Sequence, residues 1–162
     1  MKRSFFKYLL FAAAIALVTY ACVKKTTYPT TPTIEFKDFI AFTGDSADLQ
    51  ITFKDGDGDI GVGESDVTPT FFYTYYYKDT VTNQYRAYYR PIPAPGDTLR
   101  IGYNVKSPSD SYKGKPINGE MSIRLQQSRH DDWVKNVKYV FYLLDAAGNK
   151  SNVVTSPEII LK

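Results

Sequence analysis

The acidic segment FKDGDGDIGVGESD, residues 53 to 66, contains the side chains of this chain that are best suited to chemistry. Aspartates alternate with glycines at its start and two further acids follow, giving the set Asp55, Asp57, Asp59, Glu64 and Asp66. Calcium takes six to eight oxygen ligands at about 2.3–2.6 Å, and carboxylates are among its usual ligands in proteins. The residue types therefore predict a calcium site.

The spacing of these acids sets a condition on the backbone. An extended strand would hold Asp55 and Asp59 about 13 Å apart at roughly 3.3 Å per residue, too far for both to reach one ion. The loop must coil, and the interspersed glycines permit this because glycine enters left-handed backbone conformations freely. A solvated turn would select the same Asp and Gly residues, so that alternative stays open.

The segment also matches the first half of the helix-flanked calcium loop, with aspartates at its first, third and fifth positions. Ile60 replaces the glycine of the sixth position, Asp66 replaces the glutamate of the twelfth, and no helical pattern flanks the segment. These departures exclude the helix-flanked fold and leave a site in a loop between strands.

A second polar turn, DAAGN, offers Asp145 and Asn149 as further candidate ligands. These side chains would reach the acidic segment only if both loops lie at the same end of the fold. The alternative is a capped hairpin turn, in which such side chains bond to the nearby backbone.

Tyrosines are concentrated in the segments FFYTYYYKD and YRAYYRP. Tyr75, Tyr77 and Tyr88 form a candidate aromatic binding face for a sugar or a protein partner, because tyrosine combines a large contact area with a polar tip. The alternative is that tyrosine simply favours strands, with its hydroxyl reaching water at the sheet edge.

Catalytic constellations have little support in the sequence. His130 is the only histidine, and its polar segment SRHDDW gives no sign of a nucleophile and base pair. One histidine and one cysteine cannot supply the three or four ligands of a zinc site. We expect no enzyme, although two of the 17 acids could still converge as a glycosidase pair.

Strands must position these residues, because apolar side chains alternate with polar ones along most of the chain. Clusters of Gly, Pro, Asn and Asp separate the runs at the spacing of a sandwich of short strands. The strongest alternations lie at residues 49–53, 71–77, 99–105, 121–125 and 137–143, and weaker ones at 34–42, 84–90 and 153–161. These runs predict an all-β sandwich of about seven or eight strands.

Residues 1–21 predict an export signal, with a basic start, MKRSFFK, before an apolar run of 14 residues. That run is shorter than the about 20 residues of a membrane-spanning helix. Residues 22–33, rich in Thr and Pro, then predict a tether before a domain at 34–162. Removal of the signal leaves 20 − 3 = 17 basic residues against 17 acidic ones, which argues against nucleic-acid binding.

Cys22 directly follows this signal and resembles the lipidated cysteine of bacterial lipoproteins, although Thr19 and Tyr20 depart from the residues usual there. A cleaved signal with an incidental cysteine, or an uncleaved anchor helix, is the alternative.

Residues 137–161 resemble the last hairpin of bacterial immunoglobulin-like modules, where a hydrophobic strand runs into an Asp, Ala, Gly, Asn turn.

Taken together with Cys22 and the segment ITFKDGDGDIG, most of the mature chain resembles the small immunoglobulin-like lipoproteins of Bacteroidota. The resemblance implies an immunoglobulin-like β-sandwich anchored by lipid to the outer membrane. Cell-surface lipoproteins of that phylum usually carry acids after the cysteine, so Val23, Lys24 and Lys25 favour a periplasm-facing position.

These features predict a lipid-anchored, non-catalytic module of the cell envelope, with calcium as its candidate cofactor. The module would bind a protein or glycan partner or have a structural role. The alternative is a carbohydrate-active accessory protein or hydrolase of the envelope, which would use the tyrosine-rich sheet for sugar.

Overall fold

The computed structural model of the chain describes residues 27–88, 100–126 and 132–161. Within these ranges no helix is long and apolar enough to cross a membrane. The described residues form one turn of 3₁₀-helix at Asp110–Tyr112 and nine strands: β1 (Thr33–Ala41), β2 (Ala47–Asp55), β3 (Phe71–Lys78), β4 (Tyr85–Ala87), β5 (Arg100–Tyr103), β6 (Ile117–Leu125), β7 (Asn136–Leu143), β8 (Val154–Thr155) and β9 (Ile159–Ile160).

The strands form two antiparallel sheets, which confirms the predicted all-β sandwich. The smaller sheet has the order β1-β2-β6, and the larger has the order β4-β3-β7-β8, with β5 also pairing with β3 and β9 with β7. The immunoglobulin fold likewise places its strands A, B and E in one sheet and C, F and G in the other. The strand order of this chain follows that arrangement.

The core lies between the two sheets and is rich in aromatic rings. Burial alternates along β2 and β7, as the sequence period predicts, so every second side chain faces inward. The Phe39 ring of β1 stacks on Tyr139 of β7 at 5.6 Å, which joins the sheets directly. The Tyr75 and Tyr139 rings meet edge to face at 5.5 Å, an arrangement that aromatic pairs favour.

Two predicted strands differ from the observed ones. Only β4 lies within 84–90, where Tyr89 and Arg90 are outside the described residues. The run 153–161 forms two short strands because Ser156 and Pro157 interrupt it. The buried Ser156 hydroxyl accepts a hydrogen bond from the Tyr139 amide at 3.0 Å, and Pro157 has no amide hydrogen for the ladder.

The loops that surround the acidic segment lie at one end of the sandwich. The register pairs Thr33 with Lys54 and Asp55 with Ile117, so β1 and β6 begin where β2 ends. Residues 56–70 then lead to β3, which begins opposite the last residue of β7, Leu143. We call this the acidic end; it contains residues 56–70, 104–116 and 144–150.

The N-terminal segment enters the fold at the acidic end. Pro32 is buried, and β1 begins at Thr33, one residue before the predicted domain boundary. Ile34 exchanges two hydrogen bonds of 2.9 Å with the side-chain amide of Asn152. The last residues of the predicted tether therefore pack against the sandwich.

Candidate metal centre at the acidic end

Asp55 occupies the last inward-facing position of β2. The alternation that buries Leu49, Ile51 and Phe53 carries a carboxylate into the end of the core, and Asp55 has 0% of its surface exposed. Its Oδ2 accepts a hydrogen bond from the Asp59 amide at 3.1 Å. A buried carboxylate is costly to leave ionised unless a partner neutralises it.

The loop after β2 coils and brings three aspartates together. One carboxylate oxygen from each of Asp55, Asp57 and Asp59 lies within 4.8 Å of the others. The Oδ1 atoms of all three are buried and have no hydrogen-bond partner in the described part of the chain. Convergence of this kind creates repulsion that a proton or a cation would relieve.

Gly58 makes it possible for residues 55–61, which we call the coil, to fold back on themselves. It has a φ of +67°, and a β-carbon there would lie 2.1 Å from the carbonyl oxygen of Tyr112. Gly61 has a φ of +79° and a similarly close neighbour in Lys106. Both positions need glycine, because the backbone is left-handed there and a β-carbon would clash with the neighbouring backbone. The loop can therefore coil as the sequence predicts.

Neighbouring loops hold the coil from two sides. The Gly114 amide donates to the Asp57 carbonyl oxygen at 2.5 Å, which ties the coil to the segment before β6. The Ala146 amide donates to the Asp59 carbonyl oxygen at 3.0 Å, and the Ala147 amide donates to Asp59 Oδ2 at 3.1 Å. The coil therefore links the smaller sheet to the hairpin that follows β7.

The N-terminal segment contacts the coil as well. A β-carbon at Gly56 would lie 2.3 Å from the carbonyl oxygen of Tyr28 and 2.6 Å from that of Pro29. Gly56 thus allows the incoming chain to lie directly on the acidic loop. Composition predicted only an extended tether here, because it does not reveal which residue the tether will touch.

The second polar turn does lie beside the acidic loop. Asp145 is 3% exposed, and its oxygens accept hydrogen bonds from the amide and the side chain of Asn149 at 2.7 and 2.8 Å. This is the geometry of a capped hairpin turn. Asp145 is not among the three converging acids, but its charge acts on Asp59.

Glu64 and Asp66 lie apart from the three converging aspartates. Glu64 is exposed, and its carbonyl oxygen accepts a hydrogen bond from the Lys106 ammonium at 2.7 Å. Asp66 caps a turn by accepting from the Thr68 amide at 2.8 Å, and hydrogen bonds from Thr68 lower the pKa of Asp66. The structure therefore narrows the candidate ligands from five acids to three.

Burial and mutual repulsion raise the pKa values of two of these acids. Loss of hydration raises the pKa of Asp55, and the charge of Asp57 raises it further. Loss of hydration also raises the pKa of Asp59, with the charges of Asp145, Asp57 and Asp55 adding to it, to about 6. The site therefore gains protons readily when no cation balances it.

The predicted aromatic face is corrected by the structure. Tyr75 is 2% exposed and belongs to the core, because odd-numbered positions of β3 face the other sheet. Tyr77 is half-buried and meets Trp133 edge to face at 5.3 Å, and the half-buried Tyr88 contacts both tyrosines. These rings pack on the core and do not form an exposed platform.

Comparisons with protein-family models, curated proteins and solved structures found no match for this chain. Cys22 and His130 lie outside the described residues. Among the described residues, Asp55, Asp57 and Asp59 form a group that could hold a metal ion.

The glycine requirement is testable with a matched pair. Gly58→Ala should destabilise the domain by at least about 1–2 kcal/mol. A left-handed backbone costs alanine about that much, and its β-carbon would also clash with the carbonyl oxygen of Tyr112. A β-carbon at Gly63 would have no neighbour within 4 Å, and the φ of Gly63 is not positive. Gly63→Ala should therefore change stability by less than about 0.5 kcal/mol in urea unfolding. Equal effects would contradict the close packing of the coil.

The raised pKa of Asp59 predicts an unusual pH dependence in the metal-free protein. Between its ordinary value of 3.8 and about 6, the folded chain binds more protons at Asp59 than the unfolded chain does. The contribution of Asp59 to stability should therefore fall as pH rises through this range. Urea unfolding in EDTA measures it as the difference between wild type and Asp59→Asn. A difference that stays constant from pH 4 to 7 would contradict the raised pKa.

Proposed function

We propose that this protein is a lipid-anchored, non-catalytic β-sandwich module of the bacterial cell envelope that binds a protein or glycan partner, and that a calcium ion stiffens its acidic end. The observation that carries the calcium proposal is the set of buried Oδ1 atoms without hydrogen-bond partners on Asp55, Asp57 and Asp59. The fully buried Asp55 matters most, since its charge cannot be relieved by solvent.

The donor set favours calcium over other common metals. Carboxylate oxygens suit hard cations, and the described residues contain no histidine or cysteine for zinc or copper. Magnesium demands near-ideal octahedral geometry, whereas calcium accepts irregular sets of six to eight oxygens. A glycine-rich coil can turn carbonyl oxygens inward, and these together with water would complete the calcium shell.

Bound calcium would act mainly on stability and rigidity. It would replace the repulsion among three carboxylates by attraction to one shared cation. Hydrogen bonds already connect the coil to Gly114 on one side and to Ala146 on the other. Fixing the coil would therefore fix the segment before β6 and the hairpin after β7 relative to each other.

The lipid anchor gives the acidic end an orientation. Five residues separate Cys22 from Tyr28, and the six steps of chain between them reach at most about 20–22 Å. Tyr28 lies against Gly56 in the acidic loop. A lipid on Cys22 would thus keep the acidic end near the membrane and direct the opposite end of the sandwich away from it.

Calcium binding should raise the thermal stability of the full chain in detergent. A calcium concentration 100 times the Kd stabilises a protein by about 2.7 kcal/mol. At about 2–4 °C per kcal/mol, Tm should rise by roughly 5–10 °C relative to EDTA. Asp57→Ala should remove this rise, and scanning calorimetry measures it.

Asp66→Asn is the matched control for the calcium experiment, because Asp66 carries the same charge in the same loop but lies outside the cluster. This variant should keep the rise in Tm. Identical melting curves of wild type in calcium and in EDTA would contradict the calcium site and favour the alternative that the acidic loop is a solvated turn.

Lipidation of Cys22 is tested by fractionation of the bacterial host. Wild-type protein should sediment with membranes and carry the added mass of acyl chains. Cys22→Ser should lose that mass and move to the soluble fraction, because the sulfur that accepts the lipid is gone, while Thr26→Ser should behave as wild type. A bare Cys22 thiol in a soluble wild-type protein would overturn the proposed anchor.

A further inference from the structure

A cleft of about 510 Å³ opens at the acidic end, on the side of the smaller sheet. Its walls come from the end of β2, the segment before β6 and the first residues of β6, and they include Phe53, Pro108, Tyr112, Lys115, Pro116 and Asn118. Its volume falls in the range of about 300–1,000 Å³ that is typical of small-molecule sites. No sequence motif predicted it.

Gly119 shapes the floor of the cleft. It pairs with Phe53 across the β2-β6 ladder, and a β-carbon there would lie 3.1 Å from Cζ of the Phe53 ring. The φ of Gly119 is not positive, so its backbone would accept other residues. The absence of a side chain at this position therefore lets the Phe53 ring lie directly against the backbone of β6.

The walls combine apolar surfaces with a few polar groups. Tyr112 is 45% exposed, and two prolines flank its segment. Lys115 and Glu120 bring one charge of each sign, and each already has a partner: the Lys115 ammonium donates to the Ser111 carbonyl oxygen at 3.0 Å, and Glu120 pairs with Lys37. Such a cleft favours neither an anion nor a cation.

From this arrangement we infer that the cleft binds a neutral sugar ring of a glycan. A pyranose ring has an apolar face that can stack on an aromatic ring, and its hydroxyl groups lie around its edge. Tyr112 offers the aromatic surface, and the Asn118 side chain can both donate and accept hydrogen bonds from the ring edge. A neutral ring also matches the balanced charge of the walls.

The cleft shares its wall with the candidate metal centre. The carbonyl oxygen of Tyr112 packs on Gly58, and the Gly114 amide donates to the Asp57 carbonyl oxygen. A cation that fixes the coil would therefore fix the Tyr112 wall, and sugar affinity should increase with calcium. This linkage rests on the calcium site of the proposed function, whereas the cleft itself does not.

The test titrates the full chain in detergent with chitotriose, cellotriose and maltotriose by calorimetry, in calcium and in EDTA. At least one of these neutral sugars should bind, and Tyr112→Ala should weaken its binding at least tenfold. Val81→Ala, at an exposed position beyond the opposite end of β3, is the control and should bind as wild type. The calcium-induced rise in Tm, measured in parallel, should persist in Tyr112→Ala.

Each failure has a distinct meaning. No binding of any of the three sugars at millimolar concentration, or equal binding by wild type and Tyr112→Ala, would overturn the cleft as a sugar site. Equal sugar affinity in calcium and EDTA, with the Tm response intact, would overturn only the linkage. Tyr112-dependent sugar binding without any Tm response to calcium would support the cleft and contradict the calcium site.

Discussion

Mutual repulsion among three inward-turned carboxylates is the constraint on which the acidic end depends. The alternation of β2 buries Asp55 at the end of the core, and the coil that follows turns Asp57 and Asp59 toward it. A chain could avoid this cost by spreading the acids into solvent. Here close backbone packing at Gly58 and hydrogen bonds from the amides of Gly114 and Ala146 hold the acids together.

Among the described residues, backbone amides contact the loop that holds Asp55, Asp57 and Asp59, but no cationic side chain compensates the charge of these three acids. Backbone amides bond to Asp57 and Asp59, and Asp145 adds a further negative charge. Protons relieve this field at low pH, and a divalent cation would relieve it at neutral pH. Because the same coil touches the incoming N-terminal segment, the hairpin after β7 and the wall of the cleft, neutralisation at one point would stiffen several loops at once.

The sequence predicted the parts of this protein that depend on period and on residue chemistry. Alternation located β2, β3, β6 and β7, and the aspartate and glycine pattern located the converging acids. Period alone does not identify which face of β3 meets the other sheet, and the predicted surface position of Tyr75 is therefore wrong, since this ring lies in the core. Contacts between distant segments, such as Tyr28 on Gly56 or Gly119 above Phe53, depend on three-dimensional packing and left no local pattern.

Anomalous diffraction from crystals grown in calcium would show whether the three converging carboxylates hold this ion. We expect an anomalous peak about 2.3–2.6 Å from carboxylate oxygens of Asp55, Asp57 and Asp59, with carbonyl oxygens or waters completing six to eight ligands. The absence of an anomalous peak between these carboxylates, at millimolar calcium and neutral pH, would contradict the calcium site.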